Sequence, residues 1–239
     1  MTMSGRALKR FEESFSGLRL CKRMLVVLPT EHIIRCFLFE RTPYKGLFYF
    51  WRVVLPLYTP YPALTLGFGR RLAKASYIDL GEAEFERSVA HLTEIISQGE
   101  LADLRSISTP QDFLDRFGGP TPKEGDGMRS LLHAAFTYYL VGNIPLCIDI
   151  LEDFAGQDLH TGTVDYHLSA RDLAREMRLD PSAGARKIKA LEIATIRRFA
   201  LIPTIAPARL EEYGLMKRRK LSQVSTHLVD RNGLDEKIS

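Results

Sequence analysis

The hydrophobic positions of this chain follow a helical period first, then a strand period, and then a helical period again. Apolar side chains recur three and four positions apart over residues 5–20, which predicts an amphipathic N-terminal helix. They are Leu8, Phe11, Phe15 and Leu18, and Gly17 marks the expected end of the helix.

Three runs rich in β-branched and aromatic residues follow, and they predict strands at 31–41, 47–58 and 63–72. Short turn sequences with proline and glycine separate the runs, which favours antiparallel neighbours. We therefore predict a three-stranded meander, with a possible fourth strand at 24–28. Pro56 cannot donate a ladder hydrogen bond, so we expect the second strand to end, to bulge or to lie at an edge there.

From residue 76 onwards the hydrophobic period is helical again. Helices are predicted at 80–99, 108–117, 128–142, 145–156, 163–178 and 184–201. The fold class is therefore α+β, with an N-terminal helix and a small antiparallel meander followed by a mainly α-helical C-terminal region. We predict a domain at 1–118, a linker at 119–127, a helical bundle at 128–215 and a flexible tail at 216–239.

One helical hairpin of the bundle resembles a unit of the tetratricopeptide repeat family. The matching positions are Ala135, Tyr138, Gly142, Cys147 and Leu151, which have the small and large residues of that repeat at its spacings. Phe154 departs from the pattern, because a small residue is usual there. No second copy follows at a 34-residue period, so the resemblance implies one αα-hairpin and no repeat array.

The composition is that of an ordinary folded protein, with 45% hydrophobic and 26% charged residues. Three widely spaced cysteines form no CxxC pair, which favours buried thiols in a reducing compartment over disulfides. No apolar leader is recognised at the N-terminus, and no membrane span is predicted, because the apolar run at 130–147 contains Gly142, Asn143 and Pro145. We therefore expect a cytoplasmic protein.

Charge alternates along the chain, although the net charge is only +4. Residues 1–75 carry 13 Lys and Arg against 4 Asp and Glu, and 76–127 carry 4 against 11. Residues 181–220 are basic again, with 10 against 3. Two interpretations stay open: the segments neutralise one another inside the fold, or the basic segments form one surface for an anionic partner.

The clearest basic element is the helix predicted over 184–201. Its candidate phosphate-binding side chains lie between 186 and 198, and the cluster KRRK at 217–220 adds four charges. The candidates are Arg186, Lys189, Arg197 and Arg198. The alternative is an ordinary solvated or internally paired helix face, because no aromatic residue is interleaved among these cations.

The aromatic strands contain charges that a two-sided apolar sheet must accommodate. Arg35 and Glu40 interrupt the first strand, and Arg52 lies beside Trp51 in the second. A buried unpaired guanidinium is too costly to keep, so these arginines need carboxylates, aromatic faces, water or a ligand. Internal pairing with Glu31, Glu40 or the acidic segment is one possibility, and an aromatic-walled anion site is the other.

Motifs of known chemistry are absent from the sequence: there is no GxSxG, P-loop, HExxH or GxGxxG. Histidines and carboxylates at 158–172 have poor metal-ligand geometry and fit a capped helix start better. We therefore predict no metal and no cofactor.

Three functional hypotheses follow from these patterns. The first is a non-catalytic, cytoplasmic and bacterial protein-interaction protein, whose partner is another protein. The second is a nucleic-acid-binding protein that uses the basic helix 186–198 and the cluster 217–220. The third is an enzyme with an uncharacterised site around Arg35, Glu40 and Arg52.

Overall fold

The computed structural model describes residues 2–59, 66, 68–73, 77–117, 128–156 and 164–216. The helices are α1 (Met3–Ser14), α2 (Phe85–Ile95), α3 (Leu101–Arg105), α4 (Pro110–Phe117), α5 (Met128–Leu140), α6 (Ile144–Gly156), α7 (Val164–Leu179), α8 (Ser182–Phe199) and α9 (Pro207–Glu212). The strands are β1 (Leu18–Cys21), β2 (Met24–Val27), β3 (Ile33–Arg41), β4 (Leu47–Pro56), β5 (Gly69–Leu72) and β6 (Ile78–Asp79). The predicted linker at 119–127 and the cluster at 217–220 lie outside the described residues.

The strands form one antiparallel sheet in the order β1-β2-β3-β4-β5, and β6 also pairs with β4. The predicted α+β fold with an antiparallel meander is confirmed. β4 ends at Pro56, as the missing N–H of proline requires.

The sheet has six strands in the described residues, two more than the largest number predicted from the sequence. β1 begins at Leu18, which the helical period had assigned to the N-terminal helix. That helix ends at Ser14, and Gly17 takes a φ of +77° that turns the chain back into the sheet. β6 is only two residues long, too short to show a period of its own.

Both faces of the sheet are covered. On one face, Phe37, Phe50 and Val54 pack against α1 and the α2–α4 segment, in a core with Phe11 and Leu92. On the other face, the end of α8, α9 and the segment between them cover the sheet. The buried residues of that core include Ile34, Cys36, Val53, Leu55, Ile196, Leu201, Ile205 and Leu210. The sheet is therefore the middle layer, which explains why both of its faces are apolar.

Gly99 ends the helix that begins with α2. Its φ of +130° and ψ of -16° are not helical, so the chain kinks there and α3 follows as a separate helix from Leu101. The prediction that Gly99 closes the helix is confirmed. After the kink, Glu100 and Asp103 of the acidic segment lie within reach of β4.

The helical hairpin predicted at residues 135–151 is formed by α5 and α6. At its turn Gly142 has a φ of +87°, Gly142 N donates to Tyr139 O, and Asn143 N donates to Tyr138 O. These two bonds are those of a Schellman motif, which requires the left-handed backbone that glycine adopts easily. Cys147 is fully buried between the helices.

Helix α9 had no predicted counterpart, because its six residues are too few to show a helical period. Across the described part of the chain, no helix combines the length and the apolar character needed to cross a membrane.

Candidate functional site

Arg52 is buried on β4 and bound by the acidic segment. Its guanidinium contacts Asp103 Oδ2, and its Nη1 atom lies 3.5 Å from Glu100 Oε2. Arg116 Nη2 donates to Asp103 at 2.8 Å, and Arg70 Nη2 donates to Glu100 at 2.5 Å. Burial lowers the pKa of Arg52, and the charge of Glu100 opposes that shift. The hypothesis that a carboxylate of the acidic segment neutralises this strand arginine is confirmed.

Arg35 is buried to a similar degree, with 4% exposed surface, but its hydrogen bonds go to carbonyl groups. Nη2 donates to Pro29 O at 2.5 Å, and Nη1 donates to Arg105 O at 3.4 Å. Arg105 is the last residue of α3, where helix carbonyls lack partners within the helix. Burial lowers the pKa of Arg35, although Glu31 acts in the opposite direction. The guanidinium therefore ties the sheet to the end of α3.

The four candidates on the strands do not form one cluster. Arg35 pairs with Val54, two residues from Arg52, so the arginines are diagonal neighbours on the face covered by α1–α4. Glu40 and Trp51 lie on the opposite face, where Trp51 Nε1 donates to Glu40 Oε2 at 2.8 Å. The sheet thus separates Glu40 from both arginines that the enzyme hypothesis groups with it.

Trp51 belongs to a partly exposed group on that opposite face, which we call the aromatic surface. It comprises Tyr44, Tyr49, Trp51, Arg71 and Tyr77. The ring of Tyr77 lies 5.9 Å from that of Tyr44 and 5.1 Å from that of Tyr49, measured between centroids. The Arg71 guanidinium carbon lies 3.5 Å from the Tyr49 centroid and 5.2 Å from that of Trp51.

Two members of the aromatic surface project into solvent: Tyr44 is 60% exposed and Tyr77 is 44% exposed. A hydrogen bond with Tyr49 is the main cause that raises the pKa of Tyr77, so this phenol stays neutral at physiological pH. The rings contact one another edge to face or tilted, arrangements that hold aromatic side chains in place.

A groove of about 780 Å³ adjoins the aromatic surface, and we call it the edge groove. It runs between the outer edge of β5–β6 and helix α2. The arginines Arg70, Arg71 and Arg87 line it together with one carboxylate, Glu100, and with His91, so cations outnumber carboxylates. Tyr77 and Arg71 belong to both features.

The nucleic-acid candidates Arg186 and Lys189 on α8 make hydrogen bonds within the protein. Arg186 donates to Asp180 and to Glu176, each at 2.8 Å. Lys189 Nζ donates to Glu212 O at 2.7 Å. Arg197 and Arg198 are exposed in the last turn of α8, where a cation also interacts favourably with the helix dipole.

The carboxylate of Glu192 is the most deeply buried charged group on α8, and it was not among the candidates from the sequence. His32 Nδ1 lies 2.7 Å from Glu192 Oε1 and 2.8 Å from Arg209 Nη2, and Arg209 Nη2 donates to Glu192 Oε2 at 3.0 Å. Tyr213 OH also donates to Oε2, and Arg209 Nε donates to Tyr213 OH at 2.9 Å. Burial and the neighbouring Glu192 raise the pKa of Tyr213. This cluster joins the sheet, α8 and α9.

The sequence did contain a signal for Glu192. The residue lies four positions after Ile188 and four before Ile196, on the apolar stripe of the helix. A carboxylate there must be paired or bound to a ligand. Its three partners come from distant positions, so no local pattern could name them. A cavity of about 350 Å³ opens beside the cluster, between α5, α8 and α9.

Comparison with known proteins gives no relative from which a function could be transferred. No family model, no curated protein and no solved structure matches this chain. The resemblance of α5–α6 to a tetratricopeptide unit is therefore one of local geometry.

His133 on α5 lies in a second buried polar cluster. Its Nδ1 atom is 2.6 Å from Thr59 Oγ1, and Tyr58 OH is 2.9 Å from Thr137 Oγ1. The imidazole is only 4% exposed, and burial lowers the pKa of His133 to about 3. These bonds connect the end of the β4 segment to the helical bundle. Within the described ranges, no three His, Cys, Asp or Glu side chains are grouped to hold a metal.

Because of His133, we expect the free energy of unfolding to decrease as the pH is lowered from about 6.5 to about 3. The unfolded chain takes up a proton near pH 6.5, whereas the folded imidazole resists it down to about 3. Protonation therefore favours the unfolded state, at roughly 1.4 kcal/mol per pH unit within that window. Urea unfolding at several pH values measures this slope.

His133→Asn removes the titrating group but keeps a polar atom near the Nδ1 position. The slope between pH 6.5 and 5 should decrease in this variant, and the same change at exposed His91 should leave it unaltered. An unchanged slope in His133→Asn would show that other groups cause the pH dependence.

Proposed function

We propose that this chain is a non-catalytic, cytoplasmic interaction protein that binds a partner protein on its aromatic surface. The observation that carries the proposal is the exposure of Tyr44 and Tyr77, at 60% and 44%, within an ordered group of aromatic rings. Large aromatic side chains that are held in place but open to solvent are typical of binding surfaces.

The chemistry of the aromatic surface suits a protein partner. Tyrosine, tryptophan and arginine are the residues that most often dominate the binding energy of protein interfaces. Here Arg71 stacks on Tyr49, and Trp51 is anchored by Glu40, so little side-chain freedom remains to be lost on binding. The surface is therefore preorganised for an interface.

The state of the cysteines supports a reducing compartment. All three thiols are free and buried. Burial raises the pKa of Cys36 to about 12 and that of Cys147 to about 12, which keeps both groups protonated and unreactive. They contribute to packing, as small apolar side chains do.

The alternatives have less support. The arginines of the enzyme hypothesis are bound to Asp103, Glu100 and carbonyl groups, and Glu40 lies on the other face of the sheet. Nucleic-acid binding by α8 would rely on Arg197 and Arg198 and on the cluster at 217–220.

Site-specific photo-crosslinking tests the proposal. A benzophenone amino acid in place of Tyr44 should give discrete adducts with one or a few proteins when it is irradiated in cells. The matched control carries the same group in place of Leu179, an 83% exposed apolar residue at the end of α7. We expect adducts from position 44 and not from position 179.

A second substitution and a nuclease treatment complete the test. Tyr77→Ser in the chain labelled at position 44 should reduce the adducts, because the two rings are in contact. Equal crosslinking from both labelled positions, or adducts that disappear after nuclease treatment, would contradict a protein partner at the aromatic surface.

A further inference from the structure

The two outer edges of the sheet differ in whether other parts of the chain cover their main-chain groups, and this difference indicates how a partner could bind. Along an antiparallel strand, every second residue bonds to the neighbouring strand, and the residues between direct their N–H and C=O groups outward. At the β1 edge, the hydrogen bond from Leu28 N to Gly17 O shows that Leu20 is one of the outward-facing residues. Glu12 of α1 covers this position, since its Oε1 atom accepts a hydrogen bond from Leu20 N at 3.0 Å. Exposed strand edges recruit other strands unless they are covered in this way.

The β5 edge is open in the described structure. Val54 N donates to Phe68 O at 3.4 Å, so by the same alternation Gly69 and Arg71 direct their main-chain groups away from β4. Gly69 N is taken by Leu66 O at 2.8 Å. No described strand pairs with β5 on this side, and the edge groove runs along it. The N–H and C=O groups of Arg71 therefore face the groove.

The walls of the edge groove are cationic. The side chain of Arg87 on α2 is 84% exposed, and that of Arg70 on β5 is 60% exposed. Each has a carboxylate neighbour, Glu84 for Arg87 and Glu100 for Arg70. The pair of Arg87 and Glu84 is exposed on both sides and contributes little free energy, so an incoming carboxylate can replace Glu84 at small cost.

We propose that the edge groove binds an acidic segment of a partner protein in extended conformation, which adds a strand to β5. Its main chain pairs with Arg71, and its carboxylates face Arg70, Arg87 and His91, just as Glu12 faces the opposite edge. This inference rests on the proposed function and names the partner chemistry. Because Tyr77 lines the groove and belongs to the aromatic surface, one partner can contact both.

A designed peptide probes the edge groove directly. The probe is a fluorescein-labelled peptide of alternating valine and glutamate, which favours an extended conformation and carries carboxylates on one side. Fluorescence anisotropy with the full chain should show saturable binding that weakens with salt. A peptide with alternating N-methylated amides cannot pair along one edge, and a peptide with lysine in place of glutamate has the wrong charge. Both should bind about tenfold more weakly or not at all.

Arg87→Glu is the matching protein variant, since the residue is exposed and outside the core. It should weaken binding of the acidic peptide about tenfold, whereas Arg23→Glu, at an exposed arginine in the β1–β2 turn, should not. The proposal is overturned if the acidic peptide does not bind, or if the N-methylated or lysine peptide binds equally well. Arg87-dependent binding of a single-stranded oligonucleotide, with none of the peptide, would overturn it in favour of nucleic acid.

The experiments can contradict the strand-addition proposal and the aromatic-surface proposal independently of each other. If the peptide does not bind while position 44 still crosslinks to a protein, the strand-addition proposal falls and the aromatic surface remains the interface. Loss of the position 44 adducts in Arg87→Glu, with Arg23→Glu unaffected, would connect both features to the same partner.

Discussion

Glu192→Ala should lower the free energy of unfolding by about 3–5 kcal/mol, because it leaves Arg209 without its carboxylate in a buried site. The side chain of Arg209 is only 15% exposed, and its guanidinium donates to Glu192 Oε2 at 3.0 Å. His32 and Tyr213 lose the same acceptor. Urea unfolding, followed by the fluorescence of the single tryptophan Trp51, measures the change.

The matched control for Glu192→Ala is Glu212→Ala, in the same cavity. The side chain of Glu212 is 65% exposed and lies 3.9 Å from Lys189 Nζ, so its removal should change stability by less than about 0.5 kcal/mol. Equal effects of the two variants would mean that the Glu192 cluster does not hold α8 and α9 to the sheet.

Arg52→Ala should cost about 2–4 kcal/mol, because Asp103 and Glu100 would lose the cation between them. We expect a smaller loss of stability than for Glu192→Ala, because the carboxylates left without a cation are partly exposed and water can solvate them. The side chain of Asp103 is 30% exposed and that of Glu100 is 18% exposed. Arg52→Met should destabilise less than Arg52→Glu, since methionine keeps part of the apolar stem without reversing the charge.

Arg70→Ala is the control that shows whether the loss of stability in Arg52→Ala depends on the burial of the arginine. Arg70 binds the same Glu100 from an exposed position, and its removal should cost less than about 1 kcal/mol. If Arg52→Ala instead keeps or raises stability while crosslinking from position 44 is lost, Arg52 serves partner binding at the expense of stability. That result would move the functional site to the face of the sheet that packs against α1–α4.

Local sequence patterns predicted most of the secondary structure. The strand runs at 24–28, 31–41 and 47–58 correspond to β2, β3 and β4, because two-sided burial makes them continuously apolar and rich in β-branched residues. The helices from α5 to α8 were also predicted, since each is long enough to show its period several times. The short elements β1, β6 and α9 were not, because four, two and six residues carry too little periodicity.

The candidate site could be predicted only in part. The charges on β3 and β4 correctly marked residues that need partners, and the acidic segment supplied those of Arg52. Strand alternation places Trp51 and Arg52 on opposite faces, but the sequence did not show which elements cover each face of the sheet. It also did not show Arg71 stacked on Tyr49, because that contact depends on the pairing of β5 with β4.

By itself, the sequence determined most of the longer helices and strands, and which side chains cannot be buried alone. These properties depend on the chemistry of neighbouring residues and on periods of 2 and 3.6. Only the tertiary structure decided that carbonyl groups bind Arg35 and that Glu192 joins His32 to Arg209. It also decided that α1 covers one edge of the sheet, whereas no strand of the described residues covers the other. Those outcomes depend on contacts between residues far apart in the chain, which form only when the whole core packs.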